Sequence, residues 1–391
     1  MLKVGLLAGE ASGDNLGAGL MQALSSQAAA RATPLELSFL GVGGPQMQAL
    51  GLDSLASIDA LSVNGFREPI LRLPQLYRLL RTLVQNFTSA KIDVFVGIDF
   101  NVFNFLLEAA LKKRGIPTVH YVSPSVYAWR SGRTRRVDKS AQLLLCLYPF
   151  EPDFYQGLSV RAEFIGHPLA DEIDPQAGSE AARLVARQGL GLAPEKTVLA
   201  VLPGSRNSEV ALMIEPFLQA AGLFARAQPA VEVVIPCLTS QIRDRVNEAL
   251  SRYPDVPVTL YVGNARQALV ASNIALVKSG TSTLEAMLLH RAMVVSYRLG
   301  TLTYQLARRV VRTPYVALPN ILAGRQLVPE LIQADATPEA LAAALTHQMQ
   351  KIRQDTAYLE PFLELHHKLR QGADTQAASA VLRLVEAPQI C

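Results

Sequence analysis

The sequence is poor in the features that would point directly to a secreted or a membrane-spanning protein. Only three of its 391 residues are cysteines. Their odd number and wide spacing fit neither a disulfide framework nor a metal-binding motif, so we expect a protein of the reducing cytoplasm. No apolar run reaches the roughly 20 residues of a membrane-spanning helix. The first residues, MLKVGLLAG, predict a strand and lack the pattern of a secretory signal. A role at a membrane would therefore place the protein on its surface.

Several sequence motifs are also absent. No G-x-G-x-x-G follows a predicted strand, which makes a dehydrogenase a poor candidate. The chain has no D-x-D acid pair to hold a metal with a diphosphate and no histidine–cysteine cluster, so we expect neither a metal site nor a cofactor. The net charge of +4 is too small to indicate nucleic-acid binding. What remains is a chain that is half apolar and can bury full cores.

Short β-rich runs alternate with helical patterns along the chain, which predicts parallel sheets covered by helices. The alternation forms two series, separated by a segment rich in proline and glycine at 166–195. The predicted strands are 3–8, 35–41, 92–98, 117–122, 142–147 and 162–166 in the first series, and 197–206, 232–237, 258–263, 273–280 and 292–298 in the second. We therefore expect an α/β fold of two doubly wound, Rossmann-like domains with a cleft between them.

The domain boundaries follow from the same pattern. We expect a first domain at 1–168, a second at 169–340 and a helical tail at 341–391, rich in alanine and leucine. The tail has no predicted strand. Two placements of it stay open: on the second domain, or back on the first.

The motif GEASGD at 9–14 is a glycine-rich loop between the first strand and the first helix, a layout that usually binds phosphate. Glu10 and Asp14 would repel a phosphate, so a sugar hydroxyl or a proton suits this loop better. Gly13 allows close approach to a sugar, Ser12 can contact a hydroxyl or cap the helix, and Asp14 favours the first helical turn. Glu10 either positions an acceptor or takes its proton.

In the second half, LPGSR at 202–206 also links a predicted strand to a helix. Gly204 forms the turn, Ser205 can cap the helix, and Arg206 brings a permanent cation to the free N–H groups of the helix N-terminus. This pattern predicts a diphosphate site. The alternative is an ordinary turn with a surface arginine.

The stretch KSGTSTLEAML at 278–288 has the same layout. Gly280 permits close backbone approach, Thr281 and Ser282 offer hydroxyl and N–H groups, and the carboxylate of Glu285 can accept both hydroxyls of a ribose. A helix-capping pattern explains the same residues, and the two interpretations are compatible. Two loops of this kind predict a nucleotide in the second domain.

Asp99 lies just past a predicted strand, within GIDFNVFN at 97–104. A carboxylate at this position can be a general base, or it can be the N-cap of the following helix. Further on, RSGRTRRVDK at 130–139 is dense in arginine and lysine. It is either a solvated loop or a contact for a phosphate or an anionic lipid.

One segment, at 62–87, suggests a membrane surface. It has apolar residues at helical spacing and arginines on the opposite side, which is typical of a helix that lies among lipid head groups. A helix that packs on a core explains the same period equally well. The predicted membrane-docking residues are Phe66, Ile70, Leu73, Leu76 and Leu80.

Several motifs, in this order along the chain, resemble those of the lipid-A-disaccharide synthase family. They are GEASGD, GIDFNVFN, YVSPSVYAWR (121–130), PFE (149–151), FIGHPLAD (164–171), LPGSR, SGTSTLE (279–285) and TPYVALPNILAGRQLVPELIQ (313–333). The resemblance implies an inverting, metal-independent glycosyltransferase of the GT-B fold that functions in lipid A (lipopolysaccharide) biosynthesis. It would join UDP-2,3-diacylglucosamine to 2,3-diacylglucosamine 1-phosphate through a β(1→6) link and release UDP.

The resemblance also implies a cellular setting and site residues. The enzyme would be cytoplasmic and peripheral on the inner face of the inner membrane, and it could pair as a homodimer in which the C-terminal tails are exchanged. By similarity, Asp99 corresponds to the candidate base of the family, Glu10 and Ser12 to its first loop, Arg206 to its diphosphate-binding arginine and Glu285 to its ribose ligand.

The same similarity extends to a motif near the end of the second domain. Asn320, Glu330 and Gln333 match its polar positions and would bind the acceptor or a sugar. Two departures from the family pattern are present. Tyr127 stands where tryptophan is usual, and residues 100–102 replace a small residue, a proline and an aspartate after Asp99.

Two other functions are compatible with parts of the pattern. One is a different UDP-sugar enzyme on the same fold, such as a sugar-nucleotide epimerase or a transferase with a soluble acceptor. The apolar segment at 62–87 argues against a soluble acceptor. The other is an inactive nucleotide-sugar-binding or membrane-associated scaffold, which the presence of Glu10, Asp99, Arg206 and Glu285 makes less attractive.

Overall fold

The computed structural model describes residues 1–61, 68–125, 132–228, 230–300, 304–305, 313–355 and 357–387, with the backbone alone for 68–73. The chain forms two compact units. The first comprises Met1–Asp171 and Leu369–Cys391, and the second comprises Glu172–Lys368. The segment at 341–391, expected as one helical tail, is therefore divided between the two units.

The strands of both units form fully parallel sheets. The first sheet has the order β3-β2-β1-β4-β5-β6-β7 and the second the order β10-β9-β8-β11-β12-β13. The strands are β1 (Leu2–Ala8), β2 (Leu37–Val42), β3 (Leu52–Ser54), β4 (Val94–Ile98), β5 (Thr118–Tyr121), β6 (Leu143–Cys146), β7 (Arg161–Phe164), β8 (Thr197–Leu202), β9 (Val231–Cys237), β10 (Val258–Val262), β11 (Ile274–Lys278), β12 (Ala292–Tyr297) and β13 (Glu330–Ile332). The predicted fold class, two doubly wound Rossmann-like domains, is confirmed.

Helices connect most of these strands, as parallel sheets require. They are α1 (Ala11–Ala29), α2 (Pro45–Ala49), α3 (Glu68–Ala90), α4 (Asn101–Lys112), α5 (Gly132–Ser140), α6 (Pro168–Glu172), α7 (Glu180–Gly189), α8 (Asn207–Ala227), α9 (Ser240–Leu250), α10 (Ala265–Ala271), α11 (Thr281–Leu288), α12 (Leu318–Ala323), α13 (Pro338–Gln354), α14 (Glu360–Leu369) and α15 (Ala373–Glu386). Short 3-10 turns lie at Ile58–Ala60, Pro152–Tyr155 and Gln333–Asp335.

The last helix, α15, belongs to the core of the first unit. Its buried face, which includes Ala377 and Val381, packs in the same cluster as Leu20 and Leu24 of α1. Alanine on this face allows the two helices to approach closely. The alanine-rich composition of the segment thus reflects helix packing within the first unit.

Among the described residues, one helix has the length and composition of a membrane span, namely α8. Its apolar side chains are accounted for by the core of the second unit. Phe217 and Phe224 are fully buried there, together with Val210 and Leu218. The hydrophobicity of α8 therefore follows from its central position against the second sheet.

Asp14, one of the two acids of the first loop, has a structural role within the first unit. Its buried carboxylate accepts hydrogen bonds from the backbone N–H groups of Gly44 (2.8 Å), Gln46 (3.0 Å) and Met47 (3.1 Å). These groups begin α2 and have no partner within the helix. Asp14 lies in the first turn of α1, as expected, but it also fixes the position of a second helix.

Glu151 provides a test of stability against pH. Its side chain is 2% exposed and accepts a hydrogen bond from the Tyr148 N–H (3.0 Å). Burial outweighs the backbone hydrogen bonds and raises the pKa of Glu151 from 4.5 to about 8. Between these two pH values the unfolded chain loses the proton while the folded chain keeps it. The contribution of Glu151 to stability therefore falls as pH rises through this window and is constant above it.

We expect Glu151→Gln to remove this dependence of stability on pH, because the amide oxygen still accepts the Tyr148 N–H but the side chain carries no charge. Urea unfolding at pH 5.5 and 8.5 measures the effect. The variant should gain stability relative to the wild type at the higher pH. Equal differences between the two proteins at both pH values would show that Glu151 does not titrate as described.

Candidate active site

The second unit has a cavity of about 420 Å³ beyond the carboxyl ends of its strands. The turn after β8 and the turn after β11, which follow neighbouring strands, both contribute to its wall. Six of the seven residues predicted to bind UDP line it, namely Gly204, Ser205, Arg206, Gly280, Thr281 and Ser282. The cavity has the position that ligands take in doubly wound folds. Lys278, Glu209 and Asn264 also line it and were missed by sequence reasoning.

Glu209 occupies the anion-binding part of this cavity. Its Oε2 accepts hydrogen bonds from the backbone N–H groups of Ser205 (3.2 Å) and Arg206 (3.4 Å), and its Oε1 accepts one from Lys278 Nζ (3.0 Å). Burial opposes ionisation of Glu209, but the ammonium and the two N–H groups outweigh it and hold the pKa of this carboxyl below its usual value. The carboxylate thus sits where a phosphate group would find the same donors.

Lys278 is the least exposed cation of this cavity. Its side chain is 13% exposed, whereas that of Arg206 is 74% exposed. Its ammonium also lies 4.8 Å from the centre of the Tyr297 ring, a cation–π contact. A charge held at low exposure interacts more strongly with a bound anion than a charge in open solvent does. Sequence reasoning could have found Lys278, since it lies near the end of the predicted strand 273–280 and begins the KSGTSTLE motif.

Glu285, the predicted ribose ligand, does not line the cavity. Its Oε1 accepts a hydrogen bond from Arg266 Nε (2.9 Å), and Arg266 also donates from Nη1 to Glu172 Oε1 (2.6 Å). Both carboxylates raise the pKa of the Arg266 guanidinium, the Glu172 hydrogen bond most of all. Arg266 therefore fixes Glu285 in place, and the contact with a ribose stays a prediction.

A cavity of about 440 Å³ in the first unit brings the two predicted bases together. Glu10 and Asp99 both line it, along with Arg133 and Arg136 of α5. Burial, and then repulsion by Arg136, lower the pKa of Arg133. Phe100, Val102, Phe103 and Phe105 give the same cavity an apolar side. It can therefore accommodate a ligand with an anionic group, a hydroxyl near a carboxylate, and an apolar part.

Two other residues of the first loop lie outside this lining. Ser12 is exposed and Gly13 is buried. A Cβ on Gly13 would lie 3.2 Å from Cβ of Ala8, so the start of α1 packs closely on β1. Close packing is therefore one reason for glycine here, and a sugar contact by Ser12 or Gly13 stays a prediction.

The backbone around Asp99 has an unusual conformation. Asp99 and Phe100 have φ angles of 48° and 45°, in the left-handed region that non-glycine residues seldom adopt. The Asn104 side chain donates from Nδ2 to the Asp99 carbonyl (2.8 Å), and the Phe100 ring packs so closely on Gly9 that a Cβ there would overlap it. Strain of this kind is frequent where a side chain must be aimed at a ligand.

Asn320 and Glu330, predicted to bind the acceptor or a sugar, have structural roles, and a contact of Glu330 with a sugar stays a prediction. Asn320 is fully buried, and its amide accepts from the N–H groups of Leu327 (2.7 Å) and Val328 (2.9 Å) and donates to Val328 O (2.9 Å) and Glu330 Oε1 (2.7 Å). Glu330 in turn accepts the N–H groups of Val316 and Ala317, both at 2.9 Å. These side chains hold the segment before β13 together, and the amide of Asn320 has no capacity left for a sugar.

Gln333 has a similar internal partner. Its Oε1 accepts a hydrogen bond from Leu299 N (3.3 Å), and its Nε2 donates to Leu299 O (3.4 Å). The side chain thereby holds the chain that follows β12. Sugar binding by Gln333 stays a prediction.

The predicted membrane-docking residues are only partly described. Phe66 and the side chains of Ile70 and Leu73 lie outside the described residues. Leu76 and Leu80 are half-buried and pack against a core cluster that contains the fully buried Phe87. For this part of α3 the core-packing interpretation is correct, because the apolar stripe faces the first sheet.

Comparison with known sequences relates the chain to one family. The family model for lipid-A-disaccharide synthetase matches residues 4–381. The chain is 46% identical over 387 residues to the lipid-A-disaccharide synthase of Sodalis glossinidius and 45% identical over 385 residues to that of Pseudomonas paraeruginosa, with 98% of each chain covered in both cases.

Two solved structures share the fold at low sequence identity. One is a putative UDP-N-acetylglucosamine 2-epimerase from Listeria monocytogenes, with 12% identity, a TM-score of 0.65, and coverage of 99% of this chain and 96% of that one. The other is a glycosyltransferase from Rickettsia africae, with 9% identity, a TM-score of 0.62, and coverage of 99% of both chains.

The two Rossmann-like units have the GT-B type of fold, which these solved structures share. More particularly, the chain belongs to the lipid-A-disaccharide synthase family. Its activity is the glycosyl transfer that forms the lipid A disaccharide. The predicted family, fold and function are confirmed, and the alternatives of an epimerase and an inactive scaffold are set aside.

Proposed function

We propose that Asp99 is the general base of this transfer. The 6-hydroxyl of 2,3-diacylglucosamine 1-phosphate attacks the anomeric carbon of UDP-2,3-diacylglucosamine and forms the new C–O bond as the bond to UDP breaks. The configuration at that carbon inverts, the hydroxyl proton passes to the Asp99 carboxylate, and UDP leaves as the anion. The transition state has oxocarbenium character, as in glycoside hydrolysis.

Asp99 is favoured over Glu10 by how each side chain is held. The strained turn and the hydrogen bond from Asn104 fix the backbone of Asp99, and Asn101 Nδ2 donates to its Oδ1 (3.3 Å). Glu10 is exposed at the start of α1, and its side chain makes no capping hydrogen bond. A base must be aimed at the proton that it takes, so the better fixed carboxylate is the better candidate.

The remaining lining of the first-unit cavity fits the acceptor. We assign the acceptor phosphate to Arg133 and Arg136, because two neighbouring guanidinium groups form a suitable site for a dianion. The apolar side with Phe100 and Phe105 suits the start of an acyl chain. A soluble sugar would not need this combination of arginines and aromatic rings.

The second-unit cavity fits the donor nucleotide. The N–H groups of Ser205 and Arg206, the Lys278 ammonium and the N-terminus of α11 surround the position that the Glu209 carboxylate takes. These donors would stabilise the charge that develops on UDP as it leaves. The closeness of Arg206, Lys278 and the turn after β11 is the observation that carries this assignment.

A transfer assay tests the substrate assignment. Purified protein is incubated with the diacylated acceptor and either UDP-2,3-diacylglucosamine or UDP-N-acetylglucosamine, and the disaccharide is measured by mass spectrometry. We expect product only with the acylated donor. Equal rates with both donors would contradict the proposed lipid specificity while leaving the transferase activity in place.

Membrane contact is proposed for the outer faces of α3 and α4, on the cytoplasmic side of the inner membrane. Tyr77 is 60% exposed, Arg78 and Arg81 are exposed beside it, and Leu106 of the neighbouring α4 is 56% exposed. Arginines with exposed apolar side chains suit a surface of anionic lipid. Both substrates carry acyl chains, so an enzyme at this surface meets them directly. The homodimer implied by the family resemblance stays a prediction.

Vesicle flotation tests this surface. We expect the triple variant Arg78→Glu, Arg81→Glu, Leu106→Ser to lose binding to vesicles that contain phosphatidylglycerol, because both the charge and the apolar contact are removed. Val185→Ser, at a residue 70% exposed on the second unit, is the matched control and should float like the wild type. Undiminished flotation of the folded triple variant would rule out this face.

A further inference from the structure

A row of hydrogen-bonded polar side chains, most of them buried, extends from Ser140 to the Asp99 carboxylate. Ser140 Oγ donates to Glu108 Oε2 (2.8 Å), and Glu108 Oε1 lies 2.6 Å from His120 Nδ1. His120 Nε2 lies 3.2 Å from Asn101 Oδ1, and Asn101 Nδ2 donates to Asp99 Oδ1 (3.3 Å). Glu108 and His120 are fully buried. The row joins α5, α4 and β5 to the strained turn that carries Asp99.

Hydrogen-bond capacity fixes the orientation of each group in this row. The Asp99 carboxylate only accepts, so Asn101 must present its NH₂ group to it and its oxygen to His120. His120 Nε2 must therefore carry a proton and donate it to Asn101 Oδ1. On the other side, one proton lies between His120 Nδ1 and Glu108 Oε1. The end of the His120 ring that faces Asn101 is therefore a donor.

The fold has space for the buried Glu108–His120 pair, although such a pair adds little to stability. A Cβ on Gly97 of β4 would lie 2.2 Å from Glu108 Oε1, so glycine at this position leaves space for the carboxylate. The Phe105 ring, which also lines the cavity, lies 4.7 Å from the His120 ring, centre to centre. A buried ionisable pair seldom improves stability over apolar residues of the same size. Packing alone therefore does not account for it.

We propose that Glu108 and His120 are positioning residues for the base. The inference rests on the proposed role of Asp99. His120 holds the Asn101 amide, and the amide holds Oδ1 of Asp99, so that Oδ2 is left for the acceptor hydroxyl. Neither residue touches substrate. Asn101, which departs from the usual family pattern, is the link that joins the pair to the base.

Three variants test the positioning role of this row by their effect on kcat. We expect Asn101→Ala and His120→Ala each to lower kcat by about 10²-fold, with the KM for the donor unchanged, because the carboxylate is no longer aimed. Glu108→Gln should lose much less kcat than His120→Ala, since its amide still donates to Nδ1 and leaves the proton on Nε2. A loss in Glu108→Gln as large as in His120→Ala would overturn the inference.

A fourth variant separates positioning from loss of folding. Asn101→Asp places an acid at the first position of α4, which suits a helix N-terminus, and still accepts from His120. The second carboxylate repels negative charge beside it, so we expect the acid limb of the kcat/KM profile to move to higher pH. The other charged groups that face Asp99 are Glu10, Arg133 and Arg136, and none of them changes.

The controls distinguish this inference from the proposed function. His366, equally buried but in the second unit, serves as the structural control. His366→Ala should lower the melting temperature without a change in the pH profile. If the Asn101 and His120 variants keep the wild-type kcat and pH profile while Asp99→Asn is inactive, the positioning role of the row is overturned and the assignment of the base stands. An active Asp99→Asn would overturn the assignment of the base.

Discussion

Replacing Asp99 by asparagine is expected to lower kcat by about 10²–10⁴-fold, the range that general bases contribute. The substitution removes the proton acceptor and changes little else. Asparagine tolerates the left-handed φ of 48° that this position requires, and its side-chain oxygen can still accept from Asn101. Single-turnover measurement with saturating substrates reports the chemical step directly, without a contribution from product release.

Binding of UDP provides the internal control for Asp99→Asn. The residues proposed to bind UDP belong to the second unit, whereas Asp99 belongs to the first. The dissociation constant for UDP, measured by calorimetry, should therefore stay at the wild-type value. Glu10→Gln should retain most of the activity, because Glu10 is the less fixed carboxylate of the cavity. If Glu10→Gln is inactive and Asp99→Asn is active, the two roles are reversed.

Most strands of both sheets could be predicted from the sequence, but two short edge strands could not. β1 and β4 are central and almost entirely buried, so each is a mainly apolar run that is easily recognised. The strands β3 and β13 were missed, because each has only three residues and lies at a sheet edge. At that length no alternation of apolar and polar residues can be recognised.

The loops of the site were predictable for a similar reason. Glycine next to hydroxyl or charged residues, directly after an apolar run, marks a strand end, and parallel strand ends share one edge. Side-chain partners were not predictable. Nothing in the order of residues shows that Asp14 caps α2, that Asn320 is saturated by its own loop, or that His120 reaches Asn101. These contacts depend on distances that only folding sets.

The apolar stripe of α3 shows a limit of periodicity. Leu76, Leu80 and Phe87 repeat at helical spacing, and such a stripe has the same appearance whether it faces a core or a lipid surface. In the structure it faces the core, while Tyr77 and the arginines face outward. The membrane proposal therefore moves to the opposite face of the helix, where charge and not apolar area contributes most of the attraction.

The second large effect is expected for Lys278. We expect Lys278→Met to lower kcat/KM by about 10²-fold or more, because it removes a partly buried cation beside the proposed diphosphate position. Methionine keeps the length and much of the packing against Tyr297. UDP affinity should fall as well, since UDP carries the same charge that the leaving group develops. An unchanged kcat/KM would show that Lys278 serves only to neutralise Glu209.

Glu209→Gln is the complementary variant, and we expect it to strengthen the binding of UDP. The wild-type carboxylate uses the Lys278 ammonium and the N–H groups of Ser205 and Arg206, which a diphosphate also needs. Glutamine at this helix position still accepts from the N–H groups, so the start of α8 stays capped. Without the competing negative charge, UDP should bind several-fold more tightly in calorimetry. Weaker binding would mean that Glu209 supports the nucleotide site and does not compete with its ligand.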